Sequence, residues 1–161
     1  MRLANVNTTD IPAAVELGCG VMGAVFNADD HDIPFFASEL RPNPRLAWNE
    51  VHSESHVPGR HLNALLAAEA ALGVSVPPDV VAKHAAAAYF SYGGALPLPL
   101  NRRRIDGPLV SLNDHNLREG FHALYALARF RQDERALELA RRSIQPILRF
   151  WDPRRGWDDA G

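Results

Sequence analysis

The stretch Asn113–Trp151 constrains this chain most. Leu117, Phe121, Leu124 and Ala128 recur at helical spacing, as do Leu137, Ala140, Ile144, Ile147 and Trp151. Asn113 or Asp114 is placed to cap the first helix and Asp133 the second. The connection Arg131-Gln132-Asp133 is too short for anything but an antiparallel return. The pattern therefore predicts a helical hairpin over 114–130 and 134–151, with Ile144 inward and a polar cluster before its first helix.

Earlier segments read in the same way. A helix is expected over 8–27, with Thr8 or Thr9 as cap and Pro12 in its first turn. Gly18, Gly20 and Gly23 weaken it and suit close packing. A second helix, His61–Leu72, stops at Gly73. A third opens at Pro77-Pro78-Asp79 and runs to about Tyr92. Prolines 34, 42, 44 and 58 break up the segment 27–60, which together with 95–112 reads as long irregular loop.

Leu62-Asn63-Ala64-Leu65-Leu66-Ala67 aligns with Phe121-His122-Ala123-Leu124-Tyr125-Ala126 at an offset of 59 residues. Each stretch leads to a turn, an Asp-led start and another helix, the signature of a helical-hairpin repeat. Connections within hairpins are short and those between them long. The long, polar segments then gather at one end of the array, and the helix starts at His61 and Asp114 point the same way. That end is the expected ligand site.

The chain has 161 residues, one Cys and a formal charge of −2. This is enough for a single domain with a core, and the balance excludes a whole-protein field for nucleic acid. The lone Cys19 excludes an intrachain disulfide and reads as a buried thiol. No signal peptide and no apolar run of membrane-spanning length is seen, so a cytoplasmic protein with no membrane partner is expected. Arg102-Arg103-Arg104 reads as a solvated basic loop, with a sugar-acid contact as the alternative.

Several clusters carry chemistry. Asp114 stands at a helix start, where the backbone dipole favours its ionised form and suits a general base. His52, Glu54, His56, Arg60 and His61 lie within ten positions. The His-x-x-x-His spacing would serve a metal on a helix, but Pro58-Gly59 argue against one there, so no metal is assigned. Arg60 is the natural partner for a carboxylate. Asp29-Asp30-His31-Asp32 lacks the glycine and distal Glu of a calcium loop and reads as an acidic turn. Trp48 and Trp157 read as sugar-stacking platforms, Trp151 as core.

Three stretches carry a resemblance: Met22-Gly23-Ala24-Val25-Phe26-Asn27 leading to Ile33-Pro34-Phe35-Phe36, then Pro58-Gly59-Arg60-His61-Leu62-Asn63-Ala64-Leu65-Leu66, then Asn113-Asp114-His115-Asn116-Leu117-Arg118-Glu119-Gly120. With the hairpin layout, they resemble the six-hairpin α/α-toroid glycosidases and the related N-acylglucosamine 2-epimerase-like sugar epimerases. The resemblance implies an all-α fold of helical hairpins, a partial α/α toroid spanning 1–161 as the N-terminal portion of a larger one. It implies a carbohydrate substrate and no cofactor. Hydrolysis would use Asp114 and Glu54 as paired carboxylates. Trp48, His52, Arg60, His61, Asn113 and His115 would bind substrate. The alternatives are an epimerase moving protons through His61 or His115, and a non-catalytic helical scaffold. A partial array would leave apolar helix faces uncovered, and self-association through them is expected.

Overall fold

The computed structural model describes residues 10–40 and 42–157. Its elements in order are α1 (Ile11–Met22), β1 (Phe26–Asn27), β2 (Ile33–Pro34), β3 (Ala37–Glu39), β4 (Arg45–Ala47), α2 (Val57–Leu72), α3 (Pro78–Ser91), β5 (Leu100–Arg102), β6 (Leu109–Leu112), α4 (Asp114–Arg131), α5 (Glu134–Phe150), β7 (Trp151–Asp152) and β8 (Gly156–Trp157).

The strands overturn the expectation of an all-α array and, with it, of a partial toroid. They form four two-stranded antiparallel ribbons, β1–β2, β3–β4, β5–β6 and β7–β8, so the fold is mixed α and β. Most strands lie in segments expected to be irregular, because ladders of two to four residues are too short to register as alternation, while β1 and Trp151 of β7 replace the ends of the helices expected over 8–27 and 134–151. Proline does not forbid them, since Pro34 pairs with Phe26 as the terminal residue of a two-residue strand. Ribbon β5–β6 joins Leu100 to Leu112 and is irregular between Asn101 and Arg102.

The helix ends have local causes. Asp10, not Thr8 or Thr9, caps α1 by accepting a hydrogen bond from the Ala13 amide, and both threonines lie outside the described residues. Asn113 accepts from the His115 amide at the start of α4, and Asp133 accepts from Arg135 and Ala136 at the start of α5. Gly73 ends α2 in the left-handed region at φ 66°, which costs glycine nothing. Helix α2 begins at Val57, earlier than expected. Pro58 sits in its first turn, where no backbone donor is required.

The core lies between α2, α3 and α4. Leu62, Leu65 and Leu66 of α2 meet Ala123, Leu124 and Leu127 of α4, and Val80, Val81 and Ala88 of α3 close the cluster. Helices α2 and α4 run side by side in the same direction. Their starts meet where the rings of His56 and His115 stack 5.3 Å apart, and their far ends meet where Arg131 reaches Glu69 at 2.6 Å. Between the starts the backbones touch: a Cβ on Gly59 would lie 1.8 Å from the Glu119 carbonyl oxygen.

The last helix corrects a second expectation. Ile144 is 46% exposed, and Leu137, Leu148 and Trp151 are exposed beside it. Only Ala136 and Ser143 of α5 are buried. The stripe is apolar as expected, but among the described residues no element covers most of it. Ile11, Leu17 and Val21 of α1 are likewise exposed. Among the described residues, no helix is long and apolar enough to cross a membrane.

Candidate functional site

Two polar clusters are built beside the start of α2, and they differ in kind. The first is closed. Arg102 donates through Nε to Glu54 Oε1 at 2.7 Å, and its two terminal nitrogens donate to Asp30. Trp48 Nε1 donates to the same Glu54 oxygen at 3.0 Å. The Arg102 guanidinium lies 5.2 Å from the Phe90 ring centre. Asp30, Glu54 and Arg102 are all buried. One cation thus faces two carboxylates, and Glu54 Oε2 has no hydrogen-bond partner. Burial pushes the Glu54 pKa up, against the lowering pull of Arg102 and Trp48.

These positions bear on three expectations. Glu54 is fully buried, whereas Asp114 is exposed at the start of α4. Arg102 is a buried ion-pair partner, not a solvated loop residue. Trp48 is half-buried, with its indole nitrogen donating to Glu54 and Arg102 5.9 Å from its ring centre. The side chain of Trp157 lies outside the described residues.

The second cluster is open on one side. It sits where α2 and α4 begin together, and its members are His56, His115 and Glu119, each offering a ligand atom within 4.8 Å of the others. His56 and Glu119 are buried and His115 is exposed. Glu119 Oε1 accepts from Arg118, with Arg60 at 3.3 Å, and Oε2 faces His122 Nδ1 at 3.2 Å. Burial raises the Glu119 pKa, but Arg118 and Arg60 outweigh it and hold the carboxyl below its usual range.

Two asparagines decide the tautomers here. Asn116 Nδ2 donates to the Val51 carbonyl, so its Oδ1 is the atom facing His56 Nδ1, at 3.1 Å. An amide oxygen only accepts, so His56 carries its proton on Nδ1 and leaves Nε2 as a bare lone pair. Asn49 Oδ1 does the same for His52 Nδ1 at 2.8 Å while also accepting from the amides of Val51 and His52. Burial lowers both histidine pKa values, with His115 adding to the effect at His52. Asn116 and Glu119 pull the other way at His56. Phe36 packs against the pair, stacked on His52 at 4.2 Å and edge-on to His56 at 5.7 Å.

Two grooves meet at this cluster. One, of about 580 Å³, is lined by Met22, Arg60, His61, Asn63, Arg118 and Glu119 among others. Its neighbour, of about 380 Å³, shares Met22, Arg60 and His61 and extends over Phe35, Phe36 and His56. Arg60 and His61 therefore form the wall between them.

His61 itself is held from behind. His84 Nε2 lies 3.0 Å from the Met22 carbonyl, so it is the protonated nitrogen, and His61 Nδ1 at 3.3 Å shares that proton as an acceptor. His84 Nδ1 is buried with no hydrogen-bond partner. Burial lowers the pKa of His61 to about 3, helped by His84, and that of His84 to about 4. Both rings are neutral at pH 7.

The structure thus brings together His52, Arg60, His61 and His115 from the expected set, with His56, which the sequence reading gives no role, among them. Asn113 caps α4, and Asp114 is exposed with its Oδ1 on the His115 amide. Comparison of the chain with family models, curated proteins and solved structures finds no match.

Glu119, Asn116, Arg118 and Phe36 escaped the sequence reading. A signal for one of them was present: the offset of 59 residues that aligns Leu62 with Phe121 also aligns His56 with His115 and Arg60 with Glu119. Equivalent positions of the two helices meet because the helices run parallel and in register at their starts.

Proposed function

We propose that this protein is a carbohydrate-transforming enzyme that works at the joined starts of α2 and α4 by histidine proton transfer, in the manner of an epimerase or isomerase. The observation that carries this reading is the pair of asparagine-anchored histidines. Asn49 and Asn116 hold His52 and His56 with Nε2 unprotonated; His56 lines an open groove, and His52 stacks on Phe36 of the same groove. A fixed, neutral imidazole is what a general base requires. Carboxylate-pair hydrolysis is less well supported, because Glu54 is buried behind Arg102 and Trp48.

The substrate class has separate support. The grooves combine a guanidinium, an amide and a carboxylate from Arg60, Asn63 and Glu119 with the exposed ring of Phe36. Such surroundings suit a molecule rich in hydroxyls with one apolar face. The stretches around Gly59 and Asp114 also resemble sugar epimerases.

The test is solvent-proton exchange. The full chain is incubated in heavy water with a panel of reducing sugars and sugar derivatives, and deuterium entry at carbon is followed by NMR. The expected outcome is exchange in at least one sugar and a loss of about 10²–10⁴-fold in His52→Gln and His56→Gln, with the circular dichroism spectrum retained. Undiminished exchange in both variants would sink the reading. So would glycoside cleavage that survives in both and disappears in Asp114→Asn.

A further inference from the structure

We infer that His56, His115 and Glu119 form a binding site for one divalent first-row transition-metal ion, and that this ion is the group through which the proposed substrate is held. The inference takes its location from the functional reading above but stands on the cluster's own chemistry.

Lone pairs are available where a metal needs them. His56 Nδ1 is committed to Asn116, so Nε2 is free to coordinate. Asn116 is in turn fixed by the Val51 carbonyl. A ligand histidine whose other nitrogen donates to an anchored acceptor is the usual arrangement around protein-bound metals, because it sets the tautomer and aims the ring. Glu119 Oε1 is taken up by the arginines, while Oε2 is hydrogen-bonded among the described residues to His122 alone and keeps a second lone pair. His115 is exposed, and its ring stacks on that of His56.

The spacing also fits. Ligand atoms around a tetrahedral ion with bonds of about 2.0–2.1 Å lie about 3.3–3.5 Å apart. One ligand atom from each of the three residues lies within 4.8 Å of the others, and His115, the exposed member, must swing out of its stack on His56 for two imidazole lone pairs to converge on one ion. Gly59 against the Glu119 carbonyl already fixes α2 to α4.

Donor type selects the ion. Two imidazoles and one carboxylate suit zinc, iron, cobalt, nickel or copper, whereas magnesium and calcium prefer an all-oxygen shell. Three protein ligands leave at least one position open towards the grooves. A sugar's adjacent hydroxyl and carbonyl oxygens are a natural pair for such a position, and the ion would polarise them. With its Nε2 lone pair on the ion, His56 serves as ligand rather than base, and His52, which is not among the three ligands, is the base that remains. Its Nε2 lone pair is preserved by Asn49, and its ring centre lies 4.9 Å from that of His56.

The experiment uses the full chain stripped with chelator and titrated with Zn²⁺ by calorimetry, and separately with Co²⁺ followed by visible absorption. One site per chain is expected, with d–d bands in the cobalt form that mark nitrogen and oxygen ligation at four or five coordination. His115→Ala, a change at an exposed position, should weaken Zn²⁺ binding at least tenfold and alter the cobalt spectrum, and His56→Gln should do the same. Absence of a one-to-one site, or a site indifferent to both substitutions, overturns the inference. Sugar exchange that persists in the chelated protein without Zn²⁺ binding would remove the metal and leave the functional reading standing. Zn²⁺ binding without exchange in any sugar would do the reverse.

Discussion

Glu54 and Glu119 are both buried carboxylates held by arginine, and the difference between them separates scaffold from site. Glu54 is 0% exposed and its partner Arg102 only 3%, so the charges are sealed in together. Glu119 is 1% exposed, but Arg60 and Arg118 are 57% and 56% exposed. A buried carboxylate with solvated partners can exchange them for a ligand at low cost, because the released guanidinium returns to water. A carboxylate whose partner is also buried cannot. What matters is where the partner's far side faces.

This contrast is most directly broken at Arg102. Arg102→Ala leaves Asp30 and Glu54 buried without a cation, and removing one partner of a buried pair costs about 3–5 kcal/mol. Arg118→Ala removes a partner that faces water, and a surface ion pair contributes about 0–1 kcal/mol. Urea denaturation of the two variants measures the difference directly. Equal losses would show that both clusters are scaffold.

Gly59→Ala attacks the open cluster without touching a polar group. Its methyl would collide with the Glu119 carbonyl, so α2 and α4 must part. Overpacking of this kind costs about 1–3 kcal/mol, more where backbone rather than a side chain must yield. Thermal melting of this variant should show the loss, and Zn²⁺ affinity should fall with it. A variant as stable as the parent would mean that the helices separate freely.

The histidine pair His61–His84 extends the comparison to pH. Both folded pKa values are depressed, to about 3 and about 4, from an ordinary 6.5. Between pH 6.5 and about 4 the unfolded chain therefore binds more protons than the folded one. Stability from this pair is complete above pH 6.5 and is lost as pH falls through that window. His61→Gln should flatten the decline in melting temperature between pH 7 and 5. An unchanged slope would show that the pair is charged, or open to water, in the folded protein.

Ile144→Ala gives the smallest effect. At 46% exposure the side chain loses little burial, and the change should stay within about 0.5 kcal/mol in urea, well below the cost of truncating a buried isoleucine. A loss of several kcal/mol would place a covering surface over α5 in solution.

These residues also mark how far the chain could be read. Asn113, Asp133 and Gly73 announce helix ends because capping is local chemistry, visible within three or four positions. The apolar spacing of α4 and α5 is equally local. Ile144 shows the limit of that spacing: periodicity says which face is apolar, not whether another element lies over it. The ribbons were illegible for a different reason, since a ladder two residues long has no period to detect. Glu54 and Glu119 look alike in the sequence because their characters come from Arg102, 48 positions away from one, and from the crossing with Arg60 at the other. His56 and His115 were in view, but the step that makes them a pair is the parallel run of α2 and α4. That run follows from one turn within a hairpin and one connection between hairpins, and it matches the expectation that the helix starts at His61 and Asp114 point the same way.

The touching backbones at Gly59 and Glu119 set how this pocket can adapt. At the starts of α2 and α4 its two walls meet main chain to main chain, with no side chain between Gly59 and the Glu119 carbonyl to trim or enlarge. Selectivity can then be tuned only from the rim, through residues such as Arg60, His115 and Phe36, while the gauge between the walls stays constant. A ligand too wide for that gauge would have to move one helix bodily against the other and disturb the leucine core beneath. The pocket should behave as a caliper of fixed opening, admitting variation in length and charge along the grooves far more readily than variation in breadth.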